Sequence, residues 1–355
     1  MKLGFRATHA LSLVSVVALS LAACSSNDPG ASNVGSQPES VSSGGSAGTT
    51  SSAGTQGTVP VGAGGTGLVL DPPVDVGGSG GTGNTAPPLT GLTMTESGGY
   101  KRGDRIDDLG GAGGPNVDVS GNEGCGVLVG VVRDFRSKDP ERHPDFEAYG
   151  GQVVIPGLVA TALGADSKPV YASVCGAAPD AEACPTGRQT TDKATFDQWY
   201  RDTPDVSQSF LIYFKMEPTG VGDVVSFRSE NFVPMDGAGW DDTFQGQDNK
   251  PHNYGFTTEL HIKFKYSGGE SFTFKGDDDV WAFINGKLAM DLGGLHSQLE
   301  DTIVLDEHAA ELGLEKGGVY ALDLFHAERH SNGSHFRMDS TLSVVDCGSV
   351  PAVPK

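Results

Sequence analysis

Residues 275–286 read KGDDDVWAFING, and this run restricts the fold more than any other part of the sequence. Three consecutive carboxylates, Asp277, Asp278 and Asp279, stand between two apolar, β-prone runs. A buried strand cannot hold three adjacent like charges, because each would be desolvated and would repel its neighbours. We therefore expect the cluster at a strand end, open to water or neutralised by a cation. Oxygen ligands clustered on a loop suit calcium better than zinc or copper. A solvated acidic loop has the same spacing, so both interpretations stay open from the residues alone.

The same run ends in a turn signal. Asn285-Gly286 is typical of a type I′ hairpin, which needs positive φ at both central positions. The run as a whole predicts a strand, an acidic loop, a second strand, a tight turn and a third strand.

The N-terminus has the pattern of an export signal. Two basic residues and an apolar stretch at 10–19, too short to span a bilayer, precede a Leu-Ala-Ala-Cys sequence that ends at Cys24. This resembles the bacterial lipobox, which implies a signal peptide at 1–24 and lipidation of Cys24. An ordinary secretory signal is the alternative. Ser25 follows where an Asp would indicate inner-membrane retention, so we expect a lipid-anchored protein at the outer membrane or cell surface.

A flexible linker is predicted at residues 25–123. Gly, Ser, Thr and Pro dominate the first 75 or so positions, and such a chain cannot bury enough apolar area to offset its ordering entropy. A coil of about 75 residues has a root-mean-square reach of roughly 50 Å. The linker would hold a folded domain away from the membrane.

The charge balance excludes one class of partner. The chain has 45 acidic and 24 basic residues, for a net charge of −21. A chain this acidic does not match the phosphates of nucleic acid, which require a basic face. The charge is compatible with bound cations or a neutral polysaccharide.

Four cysteines remain after Cys24. An even number in an exported chain favours disulfides over a metal site, and three pairings are possible. We favour Cys175–Cys184, which closes a short loop, and Cys125–Cys347, which would tie the first strand of the domain to its last.

The remaining pattern is nearly all β. Residues 259–266 (ELHIKFKY) alternate apolar and polar side chains, as in a half-buried strand. Numerous strands joined by short turns predict an all-β fold, an antiparallel β-sandwich or jelly-roll-like domain at 124–348, followed by a short tail at 349–355. One helix is expected at 307–312, capped by Asp306 and ended by Gly313. The expected strands are 126–135, 207–214, 259–266, 271–274, 280–284, 287–292, 319–325 and 336–345.

Several long strings resemble the fibro-slime domain of secreted and surface proteins from bacteria and social amoebae. The resemblance covers residues 124 to about 346 and is less clear at 166–245. The matching strings are GVVRDF (130–135), HPDFE (143–147), FDQWYRD (196–202), HNYGFTTEL (252–260), GDDDVWAFINGKLAMDLGGLH (276–296) and FHAERHSNGSHFRMDS (325–340). That domain is in turn similar to the β-sandwich module named after anthrax protective antigen, which also occurs in flocculins.

The resemblance implies a calcium-dependent carbohydrate-binding site. In the lectin members of the module, paired Asp residues, often joined by a cis peptide, bind calcium, which binds sugar hydroxyls. Carried over, Asp277 and Asp278 are metal ligands, and Asn332 is the oxygen ligand in the second loop. Asp279 stands where the module usually has Gly. The ligand-binding candidates around these residues are Asp279, Trp281, Asn285, His296, Glu328 and His330.

The sequence supports a catalytic function less well than a binding function. His326 and His330 are four residues apart, but the zincin pattern needs its Glu directly after the first His on a helix, and here Glu328 lies midway on a predicted strand. Trp281 could stack on a sugar ring, although an aromatic residue in a sandwich is more often part of the core. We therefore expect no enzyme but an adhesion protein that binds a glycan. The alternatives are a structural component of slime or extracellular matrix that contacts proteins and, from another class, a surface hydrolase.

Overall fold

The structure is a computed structural model that describes residues 99–106, 125–172, 174–176, 182 and 184–348. These residues form antiparallel sheets, and the predicted all-β class is confirmed. The strands are β1 (Tyr100–Arg105), β2 (Val127–Phe135), β3 (Ser207–Lys215), β4 (Glu217–Pro218), β5 (Val225–Ser229), β6 (Thr243–Gln245), β7 (Pro251–Asn253), β8 (Phe256–Lys265), β9 (Ser271–Gly276), β10 (Asp279–Ile284), β11 (Lys287–Leu292), β12 (Leu299–Val304), β13 (Val319–Glu328), β14 (Phe336–Ser340) and β15 (Ser343–Asp346). The helices are α1 (Lys193–Phe196) and α2 (Leu305–Leu312).

Two large sheets pack face to face. The larger has the strand order β1-β3-β2-β8-β13-β10-β11, with β15 also paired to β8. The smaller has the order β12-β9-β14-β5-β4, and β6 and β7 form a separate hairpin. One hydrophobic core, which includes Phe214 and Leu324 from the larger sheet and Phe274 and Phe336 from the smaller, fills the space between them. Because side chains alternate along a strand, each sheet contributes every second residue to this core.

A third layer covers the opposite face of the larger sheet. This layer, which we call the covering segment, consists of the described parts of residues 136–206. A second core lies beneath it and includes Trp199 and Phe146 from the segment and Trp281 and Phe283 from β10. Strand β10 is therefore buried on both faces, which explains why its residues are apolar without alternation after Asp279.

Buried ion pairs hold the covering segment to the sheet. Glu259 on β8 is fully buried and contacts both Lys168 Nζ, at 2.6 Å, and Arg133 Nη2, at 3.1 Å. Arg133 also contacts Asp202 at 2.7 Å. Lys168 and Asp202 come from the covering segment, so docking of the segment adds a cation to Glu259 and an anion to Arg133, which also pair with each other within the sheet.

The structure differs from the predictions at the start of the domain. The predicted linker at 25–123 contains β1, which pairs with β3. The Tyr100 ring lies edge-on to Phe227 and Phe232 in the first core, which gives this short strand a buried anchor. The sequence around β1 is rich in Gly and charged residues, so its strand character comes from pairing and not from local pattern.

The predicted helix begins two residues earlier than expected. α2 starts at Leu305, and the cap residue is Val304, which makes no side-chain capping bond. The Asp306 carboxylate instead accepts hydrogen bonds from Tyr266 Oη and Gly269 N. Gly313 ends the helix as predicted, with φ of 73° in the left-handed region.

Both predicted disulfides are present. Cys125–Cys347 joins residues 222 positions apart, and Cys175–Cys184 joins residues nine positions apart. The first bridge connects the chain just before β2 to the chain just after β15. In the described part of the chain, no helix has the length and apolar character needed to cross a bilayer.

Candidate functional site

The acidic cluster lies where the smaller sheet meets the larger one. Gly276, the last residue of β9, pairs with Leu299 on β12 and Phe336 on β14. The chain then passes through Asp277 and Asp278, which are joined by a cis peptide bond, and enters β10 at Asp279. The predicted order of strand, acidic loop, strand and turn is therefore present.

An open cavity of about 540 Å³ adjoins this loop. Its volume is within the range of small-molecule sites in proteins. Four other parts of the chain complete its wall: the covering segment, the β6–β7 turn, the loop after β11 and the loop between β13 and β14. The lining residues are Gly150, Gly151, Gln152, Gln247, Asp277, Asp278, Leu295, His296, Ser297, Gln298, His330, Ser331, Asn332, Gly333 and His335. Amides, hydroxyls, imidazoles and carboxylates dominate this wall, and no aromatic carbocycle is among them.

Asp277 is fixed by the histidines around it. Its Oδ1 accepts a hydrogen bond from His335 N at 2.6 Å, and its Oδ2 lies 2.8 Å from His335 Nδ1. This hydrogen bond raises the pKa of His335, because the carboxylate favours the charged imidazole. The Asp277 carbonyl faces Nε2 of His326 at 2.8 Å. Burial lowers the pKa of His326 to about 4, so that imidazole is neutral and donates from Nε2.

Asp278 on the cavity wall and Glu328 behind it form a pair of buried acids. Burial raises the pKa of Asp278 to about 7, and the carboxylates of Asp279 and Asp277 contribute to the rise. Burial also raises the pKa of Glu328 well above its usual value, and the charge of Asp278 adds to this effect. Neither carboxylate oxygen of Glu328 has a hydrogen-bond partner among the described residues. The surrounding described groups therefore do not stabilise two negative charges here, and ionising both acids would require a cation.

Asp279 has a different role from its two neighbours. It is fully buried and forms an ion pair with Arg329, with Nε 2.6 Å from Oδ2. The Arg329 guanidinium lies 4.7 Å above the Trp199 ring and donates from Nη1 to the carbonyl oxygens of Gln189 and Asp145. The sequence predicted that the cluster would be open to water or neutralised by a cation. Asp279 is neutralised by a cation, and that cation is the Arg329 side chain.

The loop between β13 and β14 is fixed from both sides. The Asn332 carbonyl accepts hydrogen bonds from Gln247 N at 3.0 Å and from Tyr254 Oη at 2.9 Å. On the other side, Glu147 of the covering segment accepts from Ser331 N at 2.6 Å. These contacts place Asn332 on the cavity wall opposite a rigid sheet edge.

The structure brings together only part of the predicted site. Asp277, Asp278, Asn332, His296 and His330 line the cavity. Asp279 and Glu328 are fully buried behind it and do not reach its surface.

Trp281 and Asn285 lie outside the site. Trp281 is fully buried in the second core, where its ring packs near Trp199 and its Nε1 donates to Asp291 at 3.0 Å, so it is not a sugar-stacking surface. Asn285, with φ of 53°, is part of the β10–β11 turn, and its amide donates to Leu312 O. The covering segment buries Trp281, and the length of β10 separates Asn285 from the acidic loop.

Several wall residues were missed by sequence reasoning. Gln152 and Gln247 line the cavity from loops without a regular pattern, and Glu147 supports it through Ser331. Glu147 could have been found from the sequence, because it belongs to the HPDFE string at 143–147 that carries part of the family resemblance. No local pattern indicates the glutamines.

No cluster of three or more His, Cys, Asp or Glu side chains suited to a metal ion occurs among the described residues. The cavity surface thus offers two carboxylates, Asp277 and Asp278. An ion at this position would need further oxygen atoms from amides, backbone carbonyls, water or a ligand.

Comparison with known proteins identifies one matching family model and several similar proteins. Residues 209–350 match the family model described as the PA14 domain. Among curated proteins, psiR, psiC and psiD of Dictyostelium discoideum are 35%, 34% and 38% identical over 61%, 62% and 56% of this chain. The matches cover 21%, 42% and 38% of those proteins, so the chain spans less than half the length of each.

Two solved structures are also similar. The PA14 domain of the MpAFP antifreeze protein is 13% identical, with a TM-score of 0.22 over 37% of this chain and 78% of that one. A structure described as the PA14 sugar-binding domain from an RTX adhesin is 11% identical, with a TM-score of 0.20 over 35% of this chain and 76% of that one. The predicted resemblance to the protective-antigen module is confirmed by the match of residues 209–350 to the PA14 domain, and the psi proteins of Dictyostelium are homologues of this chain.

Proposed function

We propose that this protein is a surface adhesin whose cavity binds the hydroxyl groups of a glycan through a calcium ion at Asp277 and Asp278. The PA14 domain is a carbohydrate-binding, adhesion-type module, which supports a binding role and not catalysis. The observation that carries the proposal is a group of acids beside an open cavity lined by amides and hydroxyls, where burial raises the pKa of Asp278 to about 7 and a bound cation would favour its ionised form. Such a wall suits a ligand rich in hydroxyl groups, which both donate and accept hydrogen bonds.

The residues present fit calcium. Asp277 and Asp278 offer carboxylate oxygens at the cavity surface, and Asn332 lies on the same wall with an amide oxygen. Glu328, whose oxygens have no partner among the described residues, lies buried directly behind them, and its raised pKa means that a nearby cation would favour its ionised form. Calcium accepts six to eight oxygen ligands, so positions not filled by the protein would remain for water and for sugar hydroxyls.

Display at the cell surface follows from the sequence pattern before the domain. A lipid on Cys24 and the predicted linker ahead of β1 would allow the domain to reach large, insoluble partners. This arrangement favours adhesion to a polysaccharide. Matrix proteins are the alternative partner.

The test is glycan binding by the purified protein on an array, with calcium and then with chelator. We expect calcium-dependent binding that is lost in Asp278→Asn. Calcium should also raise the melting temperature of the wild type, because it binds the folded state, and Asp278→Asn should lose most of the rise. Asp291→Asn is the matched control: Asp291 is a partly buried carboxylate on β11 that accepts bonds from Trp281 Nε1 and Gly157 N, outside the cavity.

The proposal predicts that Asp291→Asn keeps calcium and glycan binding even if it lowers stability. Isothermal titration without calcium binding near millimolar concentration would contradict the metal site. A protein that binds no glycan under any condition would favour the matrix-component alternative.

A further inference from the structure

The outer face of the smaller sheet has three basic side chains in one row. Lys275 on β9, Arg337 on β14 and Arg228 on β5 are direct cross-strand neighbours: Arg337 is in register with Lys275 on one side and with Arg228 on the other. We call these three residues the basic row. Glu300 on β12, in register with Lys275, ends the row at the sheet edge.

The basic row faces solvent. Each residue of the basic row has a chain neighbour on its strand that belongs to the first core: Phe274, Met338 and Phe227. Because side chains alternate between the two faces of a sheet, the row points outward. The side chains of Lys275 and Arg337 are each 35% exposed, and that of Arg228 is 62% exposed. Adjacent strands lie about 4.8 Å apart, so the row spans roughly 10 Å.

The basic row by itself lowers the stability of the sheet. Like charges directly opposite each other destabilise a sheet, and here two such pairs share Arg337. Chance placement is also disfavoured, because acidic residues outnumber basic ones 45 to 24 in the chain. A row of three bases on one flat face therefore suggests a partner that supplies negative charge.

Local acids orient the row but leave donors available. Arg337 pairs with Asp339, and Arg228 Nε donates to Glu230 at 2.5 Å. A guanidinium has five N–H donors, so one or two such bonds leave others for a ligand. Lys275 Nζ lies 3.6 Å from Glu300, beyond a normal hydrogen bond.

The basic row is continuous with the cavity. Asp277 lies two residues past Lys275, just beyond the end of β9. His335 and Gln298 lie at the equivalent distance from Arg337 and Glu300, just before β14 and β12 begin. All three of these residues line the cavity. With a rise of about 3.3 Å per residue, the row lies roughly 7 Å from the cavity wall. A ligand longer than one sugar unit that leaves the cavity on this side would cross it.

We infer that the glycan bound at the cavity is anionic, with carboxylate or sulfate groups, and that its next units lie across Lys275, Arg337 and Arg228. The inference rests on the proposed function and specifies its ligand. Guanidinium groups match oxyanions through paired N–H donors, and Lys275 adds a compact charge.

The overall negative charge does not prevent such binding. At physiological ionic strength the Debye length is about 8 Å, so most acids of the chain are screened from the row. Glu230 and Glu300 form exposed ion pairs with the row, which are weak, so an anionic group of the ligand can replace them, whereas Asp339 is 14% exposed and stays paired with Arg337.

The test compares an oligogalacturonate with its methyl-esterified neutral form, which has the same backbone, and includes a sulfated galactan oligosaccharide as the second anionic form. Binding to the full-length protein is measured in calcium by isothermal titration. We expect at least one anionic form to bind about fivefold or more tightly than the neutral form, with a preference that weakens as salt is added. Lys275→Gln/Arg228→Gln should weaken anionic binding about tenfold, since each exposed charge contributes severalfold, and leave neutral binding unchanged.

The matched control is Lys263→Gln/Lys265→Gln. It removes the same charge from exposed positions of β8 in the other sheet, where Lys263 forms a comparable ion pair with Asp346 at 3.5 Å. This control should keep the anionic preference. Preference for only the carboxylated or only the sulfated form supports the inference and identifies the group.

Equal affinity for neutral and anionic forms, or an anionic preference unchanged in Lys275→Gln/Arg228→Gln, overturns the inference. In both cases calcium-dependent binding of the neutral form would leave the proposed function intact. No binding of any glycan, in calcium or without it, would remove the proposed function and the inference together.

Discussion

Replacing Arg329 with Met should destabilise the domain severely. Arg329 and Asp279 are both fully buried, and their ion pair has an Nε to Oδ2 distance of 2.6 Å. Met keeps most of the side-chain length but removes the charge, so Asp279 would be left buried without its cation. Removing one partner of a buried pair typically costs about 3–5 kcal/mol. The cost here also includes the two hydrogen bonds from Nη1 to Gln189 O and Asp145 O.

The expected loss is a large share of the total stability. Domains unfold with about 5–15 kcal/mol, so Arg329→Met should remove a third or more of that in a typical case. For a domain of this size, 1 kcal/mol shifts the melting temperature by about 2–4 °C, which predicts a decrease of roughly 6–20 °C. Urea denaturation followed by tryptophan fluorescence suits the measurement, because Trp199 contacts the guanidinium.

Two further variants distinguish the loss of the buried ion pair from an unspecific loss of stability. Arg228→Met removes an exposed ion pair with Glu230 and should cost less than about 1 kcal/mol. Asp279→Leu/Arg329→Met removes both buried charges and should recover part of the loss, because an apolar replacement of a buried pair is often close to neutral. A loss below about 1 kcal/mol in Arg329→Met, or a double variant less stable than either single one, would refute the reasoning.

Three other predictions concern pH, the cavity and the anchor. Burial raises the pKa of Asp134 to about 7, so the native state holds a proton that the unfolded chain releases near pH 4. The stability that this proton contributes is complete below about pH 4 and is lost as the pH rises towards 7. The urea midpoints at pH 5 and pH 7 should therefore differ less in Asp134→Asn than in the wild type. An equal difference in the two proteins would contradict the raised pKa of Asp134. Gly150 lines the cavity and an added Cβ would meet no atom within 4 Å, so Gly150→Phe should reduce glycan affinity at least tenfold in titrations while the melting temperature stays nearly constant. Metabolic labelling with a palmitate analogue should mark the wild type and not Cys24→Ala, and equal labelling would exclude the lipid anchor.

Local sequence determined the backbone of the domain. The alternation at 259–266 and the Asn285-Gly286 turn predicted β8 and the β10–β11 hairpin, because a strand repeats every two residues and positive φ favours few residue types. Gly313 ended α2 for the same reason. The acidic run was correctly predicted as the end of a strand, since three adjacent charges cannot share one buried strand.

Tertiary structure decided what each acidic side chain does. Asp277 and Asp278 face the cavity, whereas Asp279 pairs with Arg329, which is 50 residues away in sequence. Trp281 belongs to the core because the covering segment packs on the second face of the larger sheet, and that segment has no periodic pattern that predicts its docking. The cavity wall comes from five segments of the chain, and the basic row comes from three strands whose neighbours are fixed only by sheet order. Spacing along the chain encodes local geometry, but burial and charge compensation depend on contacts between distant residues, and these form only in the folded domain.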